Sequence, residues 1–212
     1  MTSIVILISG RGSNMEAIVK TAQKDAWPAK IAAVISNRPD ALGLDFAKSY
    51  GIPTAVLDHK NFKDRAEFDR QLVNLIDSYN PDLVILTGFM RILTGDFVRH
   101  YEGKLLNIHP SLLPLFPGLR THEQALAAGV SEHGATVHFV TEALDHGPAV
   151  IQASVPVFSG DDANVLAERV LKQEHIIYPR AVRWFIDNRI SIDRGRVLVN
   201  PPESQLIVSQ DK

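Results

Sequence analysis

Short apolar runs alternate with longer amphipathic stretches through the first half of the chain. The runs are rich in β-branched residues and nearly continuous, as in strands buried on both faces of a parallel sheet. They are Ser3–Ser9, Ile31–Ser36, Thr54–Leu57, Leu83–Leu86 and Lys104–Ile108. Between them, Asn14–Lys24 and Asp64–Tyr79 repeat apolar residues at helical spacing. This rhythm predicts an α/β fold of the doubly wound, Rossmann-like type with a mostly parallel sheet.

The pattern changes after residue 110, where two extended runs follow one another. Gly134–Thr141 alternates between two faces, and Ala149–Phe158 is a second extended run. Pro156 lies inside the second run and favours an edge strand, because proline cannot donate a hydrogen bond to a neighbouring strand. We predict both runs as late, antiparallel additions to the sheet.

The last third of the chain is dominated by one long helical pattern. It covers Asp161–Asn188, and the pair Tyr178-Pro179 predicts a break in the helix. We see no repeat, low-complexity segment or linker, which predicts a single domain over residues 1–190. A C-terminal tail over 191–212 follows, and its last dozen residues look loosely held.

Composition narrows the class of protein. The 212 residues are 45% apolar and 22% charged, the balance of a globular protein with a full core. No cysteine is present, which excludes disulfides, thiol nucleophiles and cysteine-based zinc sites. The net charge of -2 argues against nucleic acid or an anionic membrane as partner. No targeting segment or run of eighteen apolar residues is visible, so we expect a cytoplasmic protein.

A glycine-rich turn, Ser9–Asn14, follows the first predicted strand and opens a helix. Glycines let the backbone approach an anion there, and the helix N-terminus can bind phosphate. Ser13 or Asn14 would also cap the helix. A dinucleotide fingerprint would need glycine where Met15 stands, which disfavours NAD. The turn is therefore either a site for a small phosphate monoester or an ordinary strand-to-helix connection.

A polar pair lies at the end of a predicted core strand, where ligands of open α/β sheets bind. Asn107 and His109 are two residues apart and so share one face of the strand. An amide can stabilise a developing oxyanion, and an imidazole can transfer a proton near neutral pH. The alternative is a polar pair that satisfies backbone groups at the strand end.

The segment Leu144–Pro148 leaves two interpretations open. Asp145 could bind its own backbone in a turn, or its carboxylate could favour the charged form of His109. Six of the eight histidines lie between His100 and His146, but their spacing matches no zinc pattern. We therefore predict no metal.

Together, several segments resemble the folate-dependent phosphoribosylglycinamide formyltransferases of purine synthesis. The segments are LISGRGSN, LTGFMRIL, LLNIHPSLLPLFPG, HGATVHFVTEALDHGP and QEH, and the resemblance runs from Ile4 to about Phe185. It implies the formyltransferase fold and formyl transfer from 10-formyltetrahydrofolate to the amine of glycinamide ribonucleotide. These two small molecules are then the substrates. The sequence leaves a monomer or a homodimer open.

The resemblance also implies roles for single residues. Asn107 would orient the formyl oxygen and stabilise its charge in a tetrahedral intermediate. His109, kept protonated by Asp145, would add to that stabilisation and donate a proton. Asp145 would relay protons from the attacking amine towards the leaving nitrogen. Arg120 departs from relatives that carry histidine or asparagine there, and it is assigned no catalytic duty.

Binding residues follow from the same resemblance. Those that would hold the ribonucleotide, chiefly its phosphate and a ribose hydroxyl, are Gly12, Ser13, Asn14 and Glu174. Those that would line the folate site are Arg65, Met90, Arg91, Ile92, Leu93, Thr141, Glu142, Ala143 and Leu144. His138 would support the catalytic centre.

Three other functions compete with this one. A methionyl-tRNA formyltransferase would need a further tRNA-binding domain and a basic surface. A 10-formyltetrahydrofolate hydrolase would use water in place of the amine and would carry an N-terminal regulatory domain. A phosphate-binding module without catalysis would have no need of the Asn107, His109 and Asp145 trio.

Overall fold

The computed structural model describes residues 1–209, and the chain forms two compact units, Met1–Asn107 and the residues from Ile108 onward. The prediction of a single domain over 1–190 stays a prediction. The strands of the first unit are β1 (Thr2–Ile8), β2 (Ala29–Ser36), β3 (Thr54–Val56), β4 (Leu83–Leu86) and β5 (Leu105–His109), the last of which runs two residues past the boundary. Its helices are α1 (Ser13–Lys24), α2 (Gly43–Ser49), α3 (Arg65–Asp77) and α4 (Gly95–His100), with a short 3-10 helix at His59–Asn61.

The five strands of this unit are parallel, in the order β3-β2-β1-β4-β5, as the sequence predicts for a doubly wound sheet. β1 and β4 are almost fully buried because helices cover both faces of a parallel sheet. The predicted helix Asp64–Tyr79 is confirmed as α3, and Asp64 is its N-cap through a bond from the Glu67 N–H, 2.8 Å away.

In the second unit the strands are β6 (Glu132–Phe139), β7 (Ala149–Pro156), β8 (Ile190–Asp193), β9 (Arg196–Val199) and β10 (Leu206–Val208). Its helices are α5 (Thr121–Ala128) and α6 (Ala163–Ile186). β6 and β7 pair in antiparallel orientation, which confirms the late antiparallel addition. β8 and β9 form a separate antiparallel hairpin.

Two expectations about strands in this unit are wrong. β7 is no edge strand, because β6 pairs with one side and β10 pairs in parallel with the other. Pro156 is compatible with this because it is the last residue of the strand. The last dozen residues are not all loosely held either, since Leu206–Val208 pair with Gln152–Ser154. Residues 210–212 of the predicted tail lie outside the described residues.

The predicted break in the long helix is also wrong. α6 continues from Ala163 to Ile186 with Pro179 inside it. Proline removes one backbone hydrogen bond, but Tyr178, Pro179 and Val182 are all buried, and this packing holds the helix together. Among residues 1–209, no helix combines the length and apolar character that crossing a membrane requires.

A nearly buried ion pair ties the start of α6 to the end of β7. Arg169 donates to both carboxylate oxygens of Asp161, with N–O distances of 2.7 and 2.9 Å, and to the Pro156 carbonyl oxygen at 2.9 Å. The two side chains are only 9% and 6% exposed. Hydrogen bonds from Arg169 lower the pKa of Asp161 to about 2.

We expect Asp161→Asn to lower the free energy of unfolding at pH 7 by roughly 1–3 kcal/mol, because Arg169 loses its charged acceptor. In the unchanged protein a carboxyl with a lowered pKa stabilises the fold above the pKa of the unfolded chain. That stabilisation fades as the pH falls from about 4 towards 2. Urea unfolding across this pH range measures both effects. The control is Asp187→Asn, whose ion pair with Arg183 is 30–38% exposed and should change stability by less than about 0.5 kcal/mol. Equal losses in the two variants would contradict the prediction.

Candidate functional site

The glycine-rich loop after β1 leads directly into α1, as the sequence predicts. Gly12 precedes the helix with φ 70° and ψ 42°, a left-handed conformation that glycine adopts without strain. The expectation that Ser13 or Asn14 caps α1 is wrong. Gly12 is the N-cap, and within residues 1–209 no side chain makes a capping hydrogen bond there. No capping side chain therefore competes with an anion for the first N–H groups of α1.

Helix α2 packs behind this loop at short range. The Gly43 N–H donates to the Gly10 carbonyl oxygen, 3.1 Å away. A Cβ atom on residue 43 would lie 2.7 Å from the Arg11 carbonyl oxygen and 2.8 Å from Ile8 Cδ1, too close for any side chain. Sequence reasoning missed Gly43, because a glycine at a helix start gives no sign of what packs against it.

The loop forms one wall of a cleft of about 500 Å³ at the carboxyl ends of the parallel strands. The structure brings together there the predicted phosphate residues Gly12–Asn14 and two predicted folate residues, Met90 and Arg91. Lining residues that sequence reasoning missed are Asn37, Arg38, His59, Thr87 and Gly88. Several of them directly follow β2 and β4, so the rule that ligands bind at strand ends was the signal that could have found them.

The cleft is rich in positive charge. Three arginines, Arg11, Arg38 and Arg91, line it, and none of the lining residues is acidic. Arg38 binds both oxygens of Asp40 at 3.0 and 2.7 Å, and this contact holds the pKa of the Asp40 carboxyl below its usual value. A lining with arginines and no acidic residue suits an anionic ligand such as a phosphate monoester.

The segment 90–93, predicted for folate, follows β4 and presents apolar side chains. Met90 is 74% exposed and Ile92 is 62% exposed. The Arg91 guanidinium lies over the Phe68 ring, 5.2 Å from its centroid. Arg65, also predicted for folate, is exposed in the first turn of α3, one helical turn before Phe68.

His109 is the last residue of β5 and is 6% exposed. Its Nε2 lies 2.9 Å from the Phe116 carbonyl oxygen. A carbonyl oxygen only accepts, so Nε2 carries a proton in this contact. Asn107 lies two residues earlier on β5 and is half-buried.

Asp145 faces the other nitrogen of this ring. One carboxylate oxygen, Oδ2, lies 3.6 Å from His109 Nδ1, and both side chains are 7% exposed. The same oxygen accepts from the Gly118 N–H at 2.9 Å. Asp145 has φ 55°, in the left-handed region that aspartate and asparagine tolerate better than most residues. The structure thus places the Asp145 carboxylate beside His109, and its influence on the charge of the ring stays a prediction.

Burial lowers the pKa of three other histidines of this unit, His122, His133 and His138, and so favours their uncharged forms. His138 Nδ1 lies 2.9 Å from the Phe139 carbonyl oxygen, and burial lowers the pKa of this ring. Burial and the neighbouring His122 lower the pKa of His133 to about 4. The His122 and His133 rings meet edge to face at 5.2 Å, and Phe116 contacts His133 at 5.9 Å. Within residues 1–209, no three potential ligands among His, Asp and Glu lie close enough to hold a metal ion.

The remaining predicted residues lie on an exposed loop and on α6. Thr141, Glu142, Ala143 and Leu144 are all exposed, and Leu144 is 57% exposed. The Thr141 hydroxyl donates to the Ala143 carbonyl oxygen at 3.2 Å. Glu174 is 8% exposed on α6.

Known proteins that are similar to this chain include several formyltransferases. A sequence model of the family described as "Formyl transferase" matches residues 2–182. The phosphoribosylglycinamide formyltransferase of Escherichia coli K12 is 52% identical over 190 residues, which are 90% of each chain. Among solved structures, the phosphoribosylglycinamide formyltransferase from Coxiella burnetii in complex with CHES is 45% identical, with a TM-score of 0.90 over 98% of each chain. Glycinamide ribonucleotide transformylase 1 from Symbiobacterium toebii is 43% identical, with a TM-score of 0.91 over 94% of each chain.

Proposed function

The chain belongs to the formyl transferase family, and from this premise we propose that Asn107, His109 and Asp145 carry out its reaction. That reaction moves the formyl group of 10-formyltetrahydrofolate to the amine of N1-(5-phosphoribosyl)glycinamide, a step of purine biosynthesis. The products are formylglycinamide ribonucleotide and tetrahydrofolate. The observation that carries the proposal is the contact between His109 Nδ1 and the Asp145 carboxylate, two groups that are almost withdrawn from water.

His109 is proposed to donate a proton and to stabilise negative charge. With Nε2 bonded to the Phe116 carbonyl, the Asp145 carboxylate at 3.6 Å is an electrostatic partner for a second proton on Nδ1. A low dielectric strengthens this attraction, because both side chains are buried. The ring is thereby suited to hold positive charge beside a developing oxyanion.

Asn107 supplies the second stabilising group in this proposal. It lies two residues before His109 on β5, so the strand directs both side chains to the same face. Its amide N–H can donate to the formyl oxygen, whose charge grows as the amine attacks. Direct transfer through a tetrahedral intermediate then needs only proton transfer and oxyanion stabilisation. Asp145, as the local base, is proposed to pass the proton of the amine towards the leaving nitrogen.

The binding residues are proposed in two groups. In the first unit, the backbone N–H groups of Gly12–Asn14 and the side chains of Arg11 and Arg38 at the 500 Å³ cleft would hold the ribonucleotide phosphate. Met90 and Ile92 expose apolar surface for the aromatic parts of the folate, and Arg91 and Arg65 suit its carboxylates. In the second unit, Glu174 is proposed for a ribose hydroxyl, residues 141–144 for the folate, and His138 for a supporting role.

The proposal includes the setting in which the enzyme works. We propose a cytoplasmic location and a monomer or homodimer, with no nucleic acid and no membrane as partner. Sedimentation of the purified protein across a concentration range distinguishes the two oligomeric states.

The experiment that tests the proposed reaction follows tetrahydrofolate release by absorbance, with and without the ribonucleotide. We expect release that depends on the ribonucleotide and yields the formylated product by mass spectrometry. Release at the same rate without the ribonucleotide would instead identify a hydrolase. Folded protein that releases nothing under either condition would refute the catalytic proposal.

A further inference from the structure

Three neighbouring strands of the first unit end at the cleft, and their ends are joined by one buried hydroxyl. Ser9 directly follows β1, and Asn37 directly follows β2. Met90 lies four residues after the end of β4. β1 pairs with β2 on one side and with β4 on the other, so Ser9 occupies the middle position. Ser9 and Asn37 are only 5% and 3% exposed.

The direction of each hydrogen bond follows from its donor. The Met90 N–H can only donate, so Ser9 Oγ accepts from it, with 2.7 Å between the two atoms. The hydroxyl proton of Ser9 is then directed to Asn37 Oδ1, which lies 2.6 Å away. Asn37 is itself held at its main chain, since His59 Nδ1 lies 2.8 Å from the Asn37 carbonyl oxygen. Ser9 thus uses both its donor and an acceptor site to connect both neighbours.

The segment after β4 needs such a connection. Gly88 turns the chain with φ 69°, and Phe89 is buried. Met90 and Ile92, in contrast, are largely exposed. The contact of Arg91 with the Phe68 ring holds the segment to α3 and not to the glycine-rich loop. The Met90 N–H bond to Ser9 is the point at which the segment is tied to the loop that carries Gly10 and Gly12.

From this network we propose that Ser9 is a positioning residue that fixes the 90–93 segment against the glycine-rich loop. This inference rests on the proposed function, in which that loop holds the ribonucleotide and the segment holds the folate. Ser9 contacts neither reacting group in this proposal. It acts through the Met90 main chain, and it leaves that N–H unavailable for reading the pterin.

The test replaces Ser9 by alanine and measures the KM of each substrate together with kcat. Alanine leaves the Met90 N–H and Asn37 Oδ1 without their partner, so the segment loosens. We expect the KM of the formyl donor to rise about tenfold, that of the ribonucleotide to rise less, and kcat to stay within about threefold, since the free-energy cost of one lost buried partner is of that order.

The matched control is Ser3→Ala, the same change at the opposite end of β1. Ser3 is half-buried and donates to the Tyr79 carbonyl oxygen at 3.2 Å, far along the strand from the cleft. Ser9→Ala should lose more stability than Ser3→Ala, because it leaves two groups without their partner, but only Ser9→Ala should change KM. Values of KM within twofold of the unchanged protein in Ser9→Ala, or an equal rise in Ser3→Ala, would overturn the proposal.

A second measurement tests the positioning role of Ser9 independently of the proposed reaction. Amide hydrogen exchange of ligand-free protein reports directly on the Met90 N–H. We expect slow exchange in the unchanged protein and in Ser3→Ala, and exchange at least about tenfold faster in Ser9→Ala. Unchanged exchange at Met90 in Ser9→Ala would overturn the positioning role, whatever the activity.

Discussion

Replacing Asp145 by asparagine is expected to lower kcat by about 10²–10⁴-fold, the range that general acid–base groups contribute. Asparagine has almost the same shape, tolerates the φ of 55° at this position, and can still accept from the Gly118 N–H through Oδ1. It removes the negative charge that lies 3.6 Å from His109 Nδ1. Steady-state kinetics with saturating substrates measures the loss.

Ribonucleotide binding and folding should change little in the same variant. Titration calorimetry and thermal unfolding test both, and Asp187→Asn, at the residue that follows α6, is the control with full activity. A kcat within tenfold of the unchanged protein would remove Asp145 from the mechanism. Loss of folding would instead mean that its carboxylate serves the turn.

The second large effect is expected from Gly147→Ala, two residues after Asp145. A Cβ atom there would lie 1.7 Å from the Phe139 carbonyl oxygen and 2.8 Å from the carbonyl carbon, which are backbone atoms that cannot rotate away. The Phe139 N–H also donates to the Pro148 carbonyl oxygen at 3.0 Å, so the two segments are held together directly beside the clash. The loop that carries Asp145 must therefore move.

We expect Gly147→Ala to lower the free energy of unfolding by about 1–3 kcal/mol and to lower kcat by at least about tenfold. Urea unfolding and kinetics on the folded fraction separate the two effects. The control is His146→Ala, an exposed neighbour whose removal should change neither quantity appreciably. A Gly147→Ala variant with normal stability would show that the close approach to Phe139 is dispensable.

Local patterns predicted the first unit well. β4 has its predicted bounds, because a short apolar run is enclosed by Pro81 and Gly88. The break predicted at Pro179 was wrong, since packing around α6 outweighs the lost backbone bond. The pairing of β10 with β7 was missed because it joins residues more than fifty positions apart.

The contacts of the candidate site were likewise predicted only in part. The shared face of Asn107 and His109 follows from their spacing on one strand. The meeting of His109 with Asp145 depends on a contact between segments 36 positions apart, for which the spacing of residues gives no signal. Spacing likewise gives no sign of Ser9 between Asn37 and Met90, because a serine at a strand end has many possible partners.

The short strand β10 also bears on how this protein behaves at high concentration. Its pairing with Gln152–Ser154 covers the backbone N–H and C=O groups of β7 that β6 leaves open. Gln205 adds a side-chain bond to the Val150 carbonyl oxygen at 2.8 Å. A chain shortened before Gln205 would present that row of groups as a template for another molecule. We therefore expect C-terminal truncation to lower the solubility of the protein before it lowers the activity.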